Sequence, residues 1–213
     1  MFKDRAAAGI QLASRLKEYK SKEGVLVLAL PRGGVVTGYE IAKSLNVPLD
    51  IIIVRKIGFP GQPEFGIGAV SETGTVVLND NIISAYGISK EYIEGEISKQ
   101  KEEISRRIKF YRKDKRLSGL EGKTVILVDD GVATGVTMKV AIVTLKEEKL
   151  KRLIVALPVA PPSTAEELEK MVDEFICIET PDDFMAVGSY YYDFTQVSDE
   201  EVIEFLKLAA QNI

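Results

Sequence analysis

Val125-Ile126-Leu127-Val128-Asp129-Asp130-Gly131-Val132-Ala133-Thr134-Gly135-Val136-Thr137 is the stretch that decides how the rest of the chain is read. Its first four residues are apolar and mostly β-branched, the pattern of a strand buried on both faces. Two carboxylates close that strand. A short turn rich in Gly and Thr then leads to Met138–Leu145, where a helical pattern resumes. In an open α/β sheet, ligands bind beyond the carboxyl ends of the strands, where helix N-termini point. A phosphate in this turn would take N–H donors from Ala133 to Val136 and hydroxyls from Thr134 and Thr137. Asp129 and Asp130 would face sugar hydroxyls or a hydrated Mg²⁺. Taken separately, acidic residues after a strand and Gly-Thr turns before helices are ordinary caps and connections. Joined at this spacing they say more.

The same construction recurs upstream. Val25–Leu30 reads as a second buried strand, ends in Pro31-Arg32-Gly33-Gly34, and gives way to a helix over Val35–Leu45. Glycines let a backbone approach an anion closely, a helix start contributes N–H groups, and Arg32 offers a fixed fork of donors. After a break at Asn46-Val47-Pro48, Leu49–Val54 reads as a third strand running directly into Arg55-Lys56. Leu153–Ala160 and Phe175–Ile178 supply further strands, and Ala6–Tyr19 and Thr164–Met171 read as helices. Strands separated by helices favour a parallel α/β sheet with right-handed crossovers.

Composition narrows the chemistry. With 213 residues the chain can build one domain around a sizeable core, and no second full domain is required. A net charge of -4 argues against a broad nucleic-acid footprint. The chain has no histidine, which removes His-based zinc sites, Ser-His-Asp triads and imidazole bases together. Acid–base work falls to carboxylates, Tyr, Lys or the substrate itself. The single Cys177 lies in an apolar run and reads as buried, with no intramolecular disulfide available. No apolar run approaches a membrane span, and Met1–Arg5 lacks a signal peptide's apolar region, so a cytoplasmic protein without membrane association is expected. The absence of G-x-x-x-x-G-K-[ST] and G-x-S-x-G weighs against P-loop kinases and α/β hydrolases.

Strand, Asp-Asp, three residues, Thr-Gly-x-Thr resembles the phosphoribosyl diphosphate (PRPP) loop of the type I phosphoribosyltransferases. The resemblance covers roughly Val25–Val159. It implies that family's α/β fold: a central, mainly parallel sheet flanked by helices, a flexible loop and a small variable hood. It further implies that Asp129 and Asp130 bind the ribose 2′- and 3′-hydroxyls and help place Mg²⁺ through water. Ala133, Thr134, Gly135, Val136 and Thr137 would hold the 5′-phosphate, and Arg32, Gly33 and Gly34 the pyrophosphate. The family often carries a cis bond not preceding proline in that last loop, and Pro31–Arg32 is the matching bond here. An Arg-Lys pair before a Gly-Pro loop resembles the adenine-salvage branch, which makes Arg55 and Lys56 candidates for pyrophosphate contact. Ala133 departs from hypoxanthine/guanine enzymes, which usually carry an Asp there, and agrees with the adenine, uracil and orotate branches.

The remaining segments carry weaker expectations. Gln62–Glu72 resembles a subgroup of uncharacterised phosphoribosyltransferase-like proteins, with Glu64, and after it Glu72, as candidates for acceptor contact. Phe59–Gly74, rich in Gly and Pro, reads as a long mobile excursion rather than core, with Val76–Leu78 returning to the sheet or forming a hairpin with Ile67–Val70. Ser89–Leu117 reads as a charged amphipathic helix whose Arg106, Arg107, Lys109, Arg112 and Lys113 belong to a solvated face. Its apolar stripe suits the homodimer frequent in the family. One domain over residues 1–213 is expected, with a core of about 22–160, a hood of about 174–198 joined by the N-terminal helix, and a last helix of about 199–210. In that hood Tyr190, Tyr191 and Phe194 are candidates for holding the base, although such a cluster also serves as core or interface. The expected activity is transfer of 5-phosphoribosyl from Mg-PRPP to a purine or pyrimidine base, giving a nucleoside 5′-monophosphate and pyrophosphate. The non-enzymatic alternative is a PRPP- or nucleotide-sensing regulator.

Overall fold

The computed structural model describes residues 1–211, Glu64 by its backbone alone. In chain order the first elements are α1 (Arg5–Arg15), β1 (Val25–Ala29), α2 (Gly33–Leu45), β2 (Leu49–Ile51), β3 (Val54–Phe59), β4 (Gln62–Ser71) and β5 (Val76–Leu78). There follow α3 (Asp80–Tyr86), α4 (Lys90–Arg112), β6 (Thr124–Val128), α5 (Val136–Lys146), β7 (Arg152–Val159), α6 (Pro162–Glu169), β8 (Glu174–Glu179) and α7 (Asp199–Gln211). The described residues form two compact units, one of residues 1–51, 118–135 and 148–211, the other of residues 52–117 and 136–147.

The first unit is built on a five-stranded parallel sheet of order β2-β1-β6-β7-β8. Side chains alternate across a strand, so Val25, Val27, Ile126, Val128, Ile154 and Ala156 share one face. There they pack in one cluster with Leu12, Ala13 and Leu16 from the N-terminal helix region and Ile41, Ala42 and Leu45 of α2. The intervening Leu26, Leu28, Val125, Leu127 and Val155 are also buried, which is why these strands read as unbroken apolar runs. The side chain of Asp4 caps α1 by accepting from Ala7 N at 2.7 Å. Asn46, at φ 54°, ends α2 in the left-handed conformation and produces the break expected before the next strand.

Two expectations are corrected, one where the chain passes from the first unit to the second and one within the second. Leu49–Val54 is not one strand: only Leu49–Ile51 pairs with β1, and Val54 opens a new sheet. Phe59–Gly74 is not an excursion outside a core either. It contributes to an antiparallel sheet of order β3-β4-β5, in which Val70 pairs with Arg55 and with Val76. Of the Gly and Pro residues that suggested a loop, Pro60 and Gly61 (φ 76°) make the β3–β4 turn, Gly66 faces Gly58 at a register shift, and Gly74 (φ 94°) lies between β4 and β5. Ile57 and Ile67 pack with Ile93 of α4, and Ile82, Ile83 and Ile97 close round them. This small core takes up the first turns of the apolar stripe of α4, through Tyr92, Ile93 and Ile97. Ser89 caps that helix through Tyr92 N at 3.2 Å.

Candidate active site

Adjacency of β1 and β6 brings two loops together that lie a hundred residues apart in the chain. Their register pairs Val25 with Thr124 and Ala29 with Val128, so both strands end level. Leu30 N donates to Val128 O at 2.9 Å, and the chain then turns through a cis Pro31–Arg32 bond into α2. The loop Arg32-Gly33-Gly34 rests directly on the carboxylate pair. A Cβ added to Gly34 would lie 2.8 Å from Asp129 Oδ1, and one added to Gly33 would overlap the Asp130 carboxylate. Any side chain at either position would therefore displace an acidic residue. Arg32 occupies the cap position of α2, and its Nη1 lies 3.9 Å from Asp199.

The two acids differ in environment. Asp129 Oδ1 accepts from the backbone N of Asp130 at 2.8 Å. Desolvation, followed by the adjacent Asp130 carboxylate, pushes the Asp129 carboxyl well above the ordinary carboxylate range. Asp130 is gripped by Arg5 of α1, whose Nε donates to Oδ2 at 2.6 Å. Arg5 Nη1 donates to the Thr195 carbonyl at 2.8 Å, and its guanidinium lies 3.8 Å from the Phe194 ring centroid. The phenol of Tyr191 donates to the Asp130 carbonyl at 2.5 Å. Burial, then the nearby Asp130, raises that phenol far above its ordinary value, so the hydroxyl remains a donor.

In the expected hood the N-terminal segment packs against the stretch around residues 184–195. Phe2 N donates to Tyr190 O, and Tyr192 N and Asp193 N donate to Phe2 O and Lys3 O. Tyr191 is buried between Phe2 and Phe194, at ring distances of 5.4 and 5.0 Å. Tyr190 stacks on Phe184 at 5.5 Å, and Phe194 is partly exposed over Arg5. Of the three aromatic candidates, Tyr191 is thus placed as support for Asp130 rather than with an open face. β8 begins the segment assigned to the hood but belongs to the parallel sheet.

The turn after Asp130 is anchored from below. Val132 N donates to Val159 O at 3.1 Å, and Thr164 Oγ1 donates to Ala133 O at 2.8 Å. Gly131, at φ 143°, lies so close to Val187 and Val159 that a Cβ would meet their methyl groups at 2.6 and 2.9 Å. Ala133 and Thr134 are exposed, Gly135 takes φ 67°, and α5 begins at Val136, with Thr137 in its first turn. The opening turn of a helix presents N–H groups that have no partner within the helix.

The remaining candidates, like Val136 and Thr137, lie in the second unit. Arg55 and Lys56 are half-buried on β3, and Arg55 Nε donates to Gln100 Oε1 at 3.0 Å. Burial, then the nearby Arg107, lowers the Arg55 guanidinium below its ordinary value. Lys56 runs its stem beside Gly66, where an added Cβ would meet Lys56 Cδ at 2.8 Å. The side chain of Glu64 lies outside the described residues. Glu72 is engaged structurally, accepting from Ile53 N at 2.9 Å and pairing with buried Arg112. Arg112 is thereby a correction to the solvated face expected for its helix, as is Arg107, turned inward onto Glu103 at 2.8 Å.

Arg5 was not legible as a site residue. One arginine at the start of an amphipathic helix carries no local signal, because its role depends on a pairing across the fold.

Among the described residues no group of three or more His, Cys, Asp or Glu could cage a metal. Mg²⁺ does not require such a cage, since it keeps waters and is held by one or two carboxylates plus substrate phosphates. Asp129 and Asp130 provide that kind of donor set, and the raised Asp129 carboxyl would ionise more readily beside a cation.

Parallel strands ending in a glycine-lined carboxylate pair define an α/β protein with a candidate ligand site at the carboxyl ends of its central strands. The model of the phosphoribosyl transferase domain matches residues 2–195, and the chain belongs to the type I phosphoribosyltransferase family. Two Mycobacterium tuberculosis proteins, whose names assign them provisionally as phosphoribosyl transferases, are 41% identical over 209 residues. That match covers 98% of this chain and 47% of theirs, so the chain spans about half the length of these relatives. TT1426 from Thermus thermophilus is 41% identical, with a TM-score of 0.79 over 96% of this chain and 97% of that one. A purine phosphoribosyltransferase from Pyrococcus horikoshii shares the fold at 18% identity and a TM-score of 0.50, covering 91% of this chain and 92% of its own. No helix among the described residues is long and apolar enough to cross a membrane.

Proposed function

We propose that the chain binds Mg-PRPP and transfers its 5-phosphoribosyl group to a purine or pyrimidine base. The observation that carries this is the seating of Gly33 and Gly34 on Asp130 and Asp129. It joins a pyrophosphate-type loop to a ribose-type carboxylate pair within one unit. The carboxylates accept from the ribose 2′- and 3′-hydroxyls, while Gly33, Gly34 and Arg32 offer donors to the pyrophosphate. The turn from Ala133 to Thr137 offers N–H and hydroxyl donors to the 5′-phosphate. Asp129 and Asp130 would hold Mg²⁺, which when bound would neutralise diphosphate charge.

In the reaction a base nitrogen forms a bond to C1′ as the C1′–O bond to pyrophosphate breaks. Pyrophosphate leaves with the electron pair, and the base loses the proton from its nitrogen. The chain contributes mainly through position and charge, because fixed donors stabilise the leaving group as the sugar becomes cationic. For Arg55 and Lys56 the same reading assigns contact with the leaving pyrophosphate. Tyr190 and Phe194 are assigned to the base, together with Glu64. Ala133 favours an acceptor other than the oxopurines. A homodimer acting in the cytoplasm, without nucleic acid or membrane, completes the proposal.

Incubation with Mg-PRPP and adenine, guanine, hypoxanthine, xanthine, uracil or orotate tests catalysis. The expected result is a nucleoside monophosphate and an equal amount of pyrophosphate from one or more of these. A folded sample that binds PRPP but makes no product from any of them favours the regulator, a reading already compatible with a site whose acids are so firmly held.

A further inference from the structure

We infer that Arg5 is the positioning residue of the site: it sets the orientation of Asp130 and supplies the counter-charge that lets two adjacent carboxylates share the sheet edge. The inference rests on the PRPP reading above and names a residue that the loop motifs do not contain.

Three contacts fix the guanidinium. It donates to Asp130 Oδ2 at 2.6 Å and to Thr195 O at 2.8 Å, and one face lies 3.8 Å from the Phe194 centroid. A Cβ built on Gly33 would stand 2.8 Å from Arg5 Nε, so the cation lies beside both the glycine loop and the acid. The side chains of Arg5 and Asp130 are only 10% and 14% exposed. A planar fork held at its edge and on one face has little rotational freedom, and it transmits that rigidity to its carboxylate.

Energetics point the same way. Asp129 and Asp130 are consecutive and both largely desolvated, a placement that costs heavily without a cation. Arg5 is the cation paired with Asp130. Its own placement depends on the pairing of the chain's N-terminal segment with residues 190–193, since Phe2 N bonds Tyr190 O and Asp193 N bonds Lys3 O. The junction read from the sequence as a base-binding hood therefore also holds the ribose-binding acid in register.

A double-mutant cycle on Mg-PRPP affinity separates positioning from direct contact or packing. Wild type, Arg5→Ala, Asp130→Asn and the double variant are titrated by calorimetry, with melting curves confirming that each is folded. Asp130→Asn is read at higher PRPP concentration. Arg5→Ala is expected to weaken binding about tenfold or more, as loss of a residue that orients a ligand-binding side chain does. In the Asp130→Asn background the same change is expected to cost less than about twofold, because Arg5 acts through Asp130. Guanidinium ion at non-denaturing concentration is expected to restore part of the affinity of Arg5→Ala and none to the double variant. An equal cost in both backgrounds, or full affinity in Arg5→Ala, overturns the assignment while leaving PRPP binding intact. A wild type that fails to bind Mg-PRPP overturns the PRPP reading, and the role of Arg5 falls with it.

Discussion

Charge is used in opposite ways at the carboxylate pair of the first unit and in the second unit. In the second, charges are spent on one another: Glu72 pairs with Arg112, Glu103 with Arg106 and Arg107, and Arg55 leans on Gln100. In the first, Asp129 and Asp130 stand side by side with the Arg5 guanidinium on Asp130 Oδ2, and glycines rather than side chains cover them. Paired charges hold a small sheet to its helix. Crowded like charges roofed by backbone are a poor way to stabilise a protein and a good way to receive polyhydroxylated, cation-bearing ligands.

That contrast breaks most readily at Glu72. Replacing it with Gln leaves Arg112 buried without its carboxylate, so urea unfolding should show a loss of about 3 kcal/mol, with Mg-PRPP affinity of the folded protein preserved. A loss below about 1 kcal/mol would place the pair among inconsequential surface bridges. Gly34→Ala attacks the other unit. Its Cβ would meet Asp129 Oδ1 at 2.8 Å and Asp129 Cα at 2.9 Å, for an expected cost of about 1–3 kcal/mol and PRPP binding weakened about tenfold or more. Gly95→Ala in α4 is the sharpening control: nothing lies within 4 Å of its added Cβ, so stability should rise by about 0.5–1 kcal/mol.

The smallest effect is on acid stability. Hydrogen bonds from Arg106 and Arg107 hold the Glu103 carboxyl down at about 2, against an ordinary value of 4.5. A carboxyl depressed in the folded state contributes stability above its unfolded value, lost as pH falls through the folded one. Glu103→Gln should therefore lose less stability than wild type between pH 4.5 and 2, and the difference should shrink in salt. Parallel curves for the two proteins would remove Glu103 from the account.

Much of the first unit was legible because a buried parallel strand leaves a local mark, an unbroken β-branched run that ends in turn chemistry. Val25–Leu30 and Val125–Val128 were read that way, and their loops lie together because β1 and β6 are neighbours, which follows from topology rather than from either run. The second unit was harder. Gly58, Pro60 and Gly61 mark a bulged hairpin and a loop equally well, and what decides between them is the packing of Ile57 and Ile67 against Ile93, a long-range contact. Leu49–Val54 shows the same limit, since composition does not say where an apolar run leaves one sheet for another. Arg5, Thr195 and Phe194 acquire their meaning only when the N-terminal segment pairs with residues 190–193.

Calorimetric titration of Mg-PRPP into wild type and into the Asp129→Asn/Asp130→Asn variant tests the central claim most directly. Binding by the wild type, weakened about a hundredfold or abolished in a variant that still melts cooperatively, is the predicted result. Equal affinity in the two proteins would contradict it.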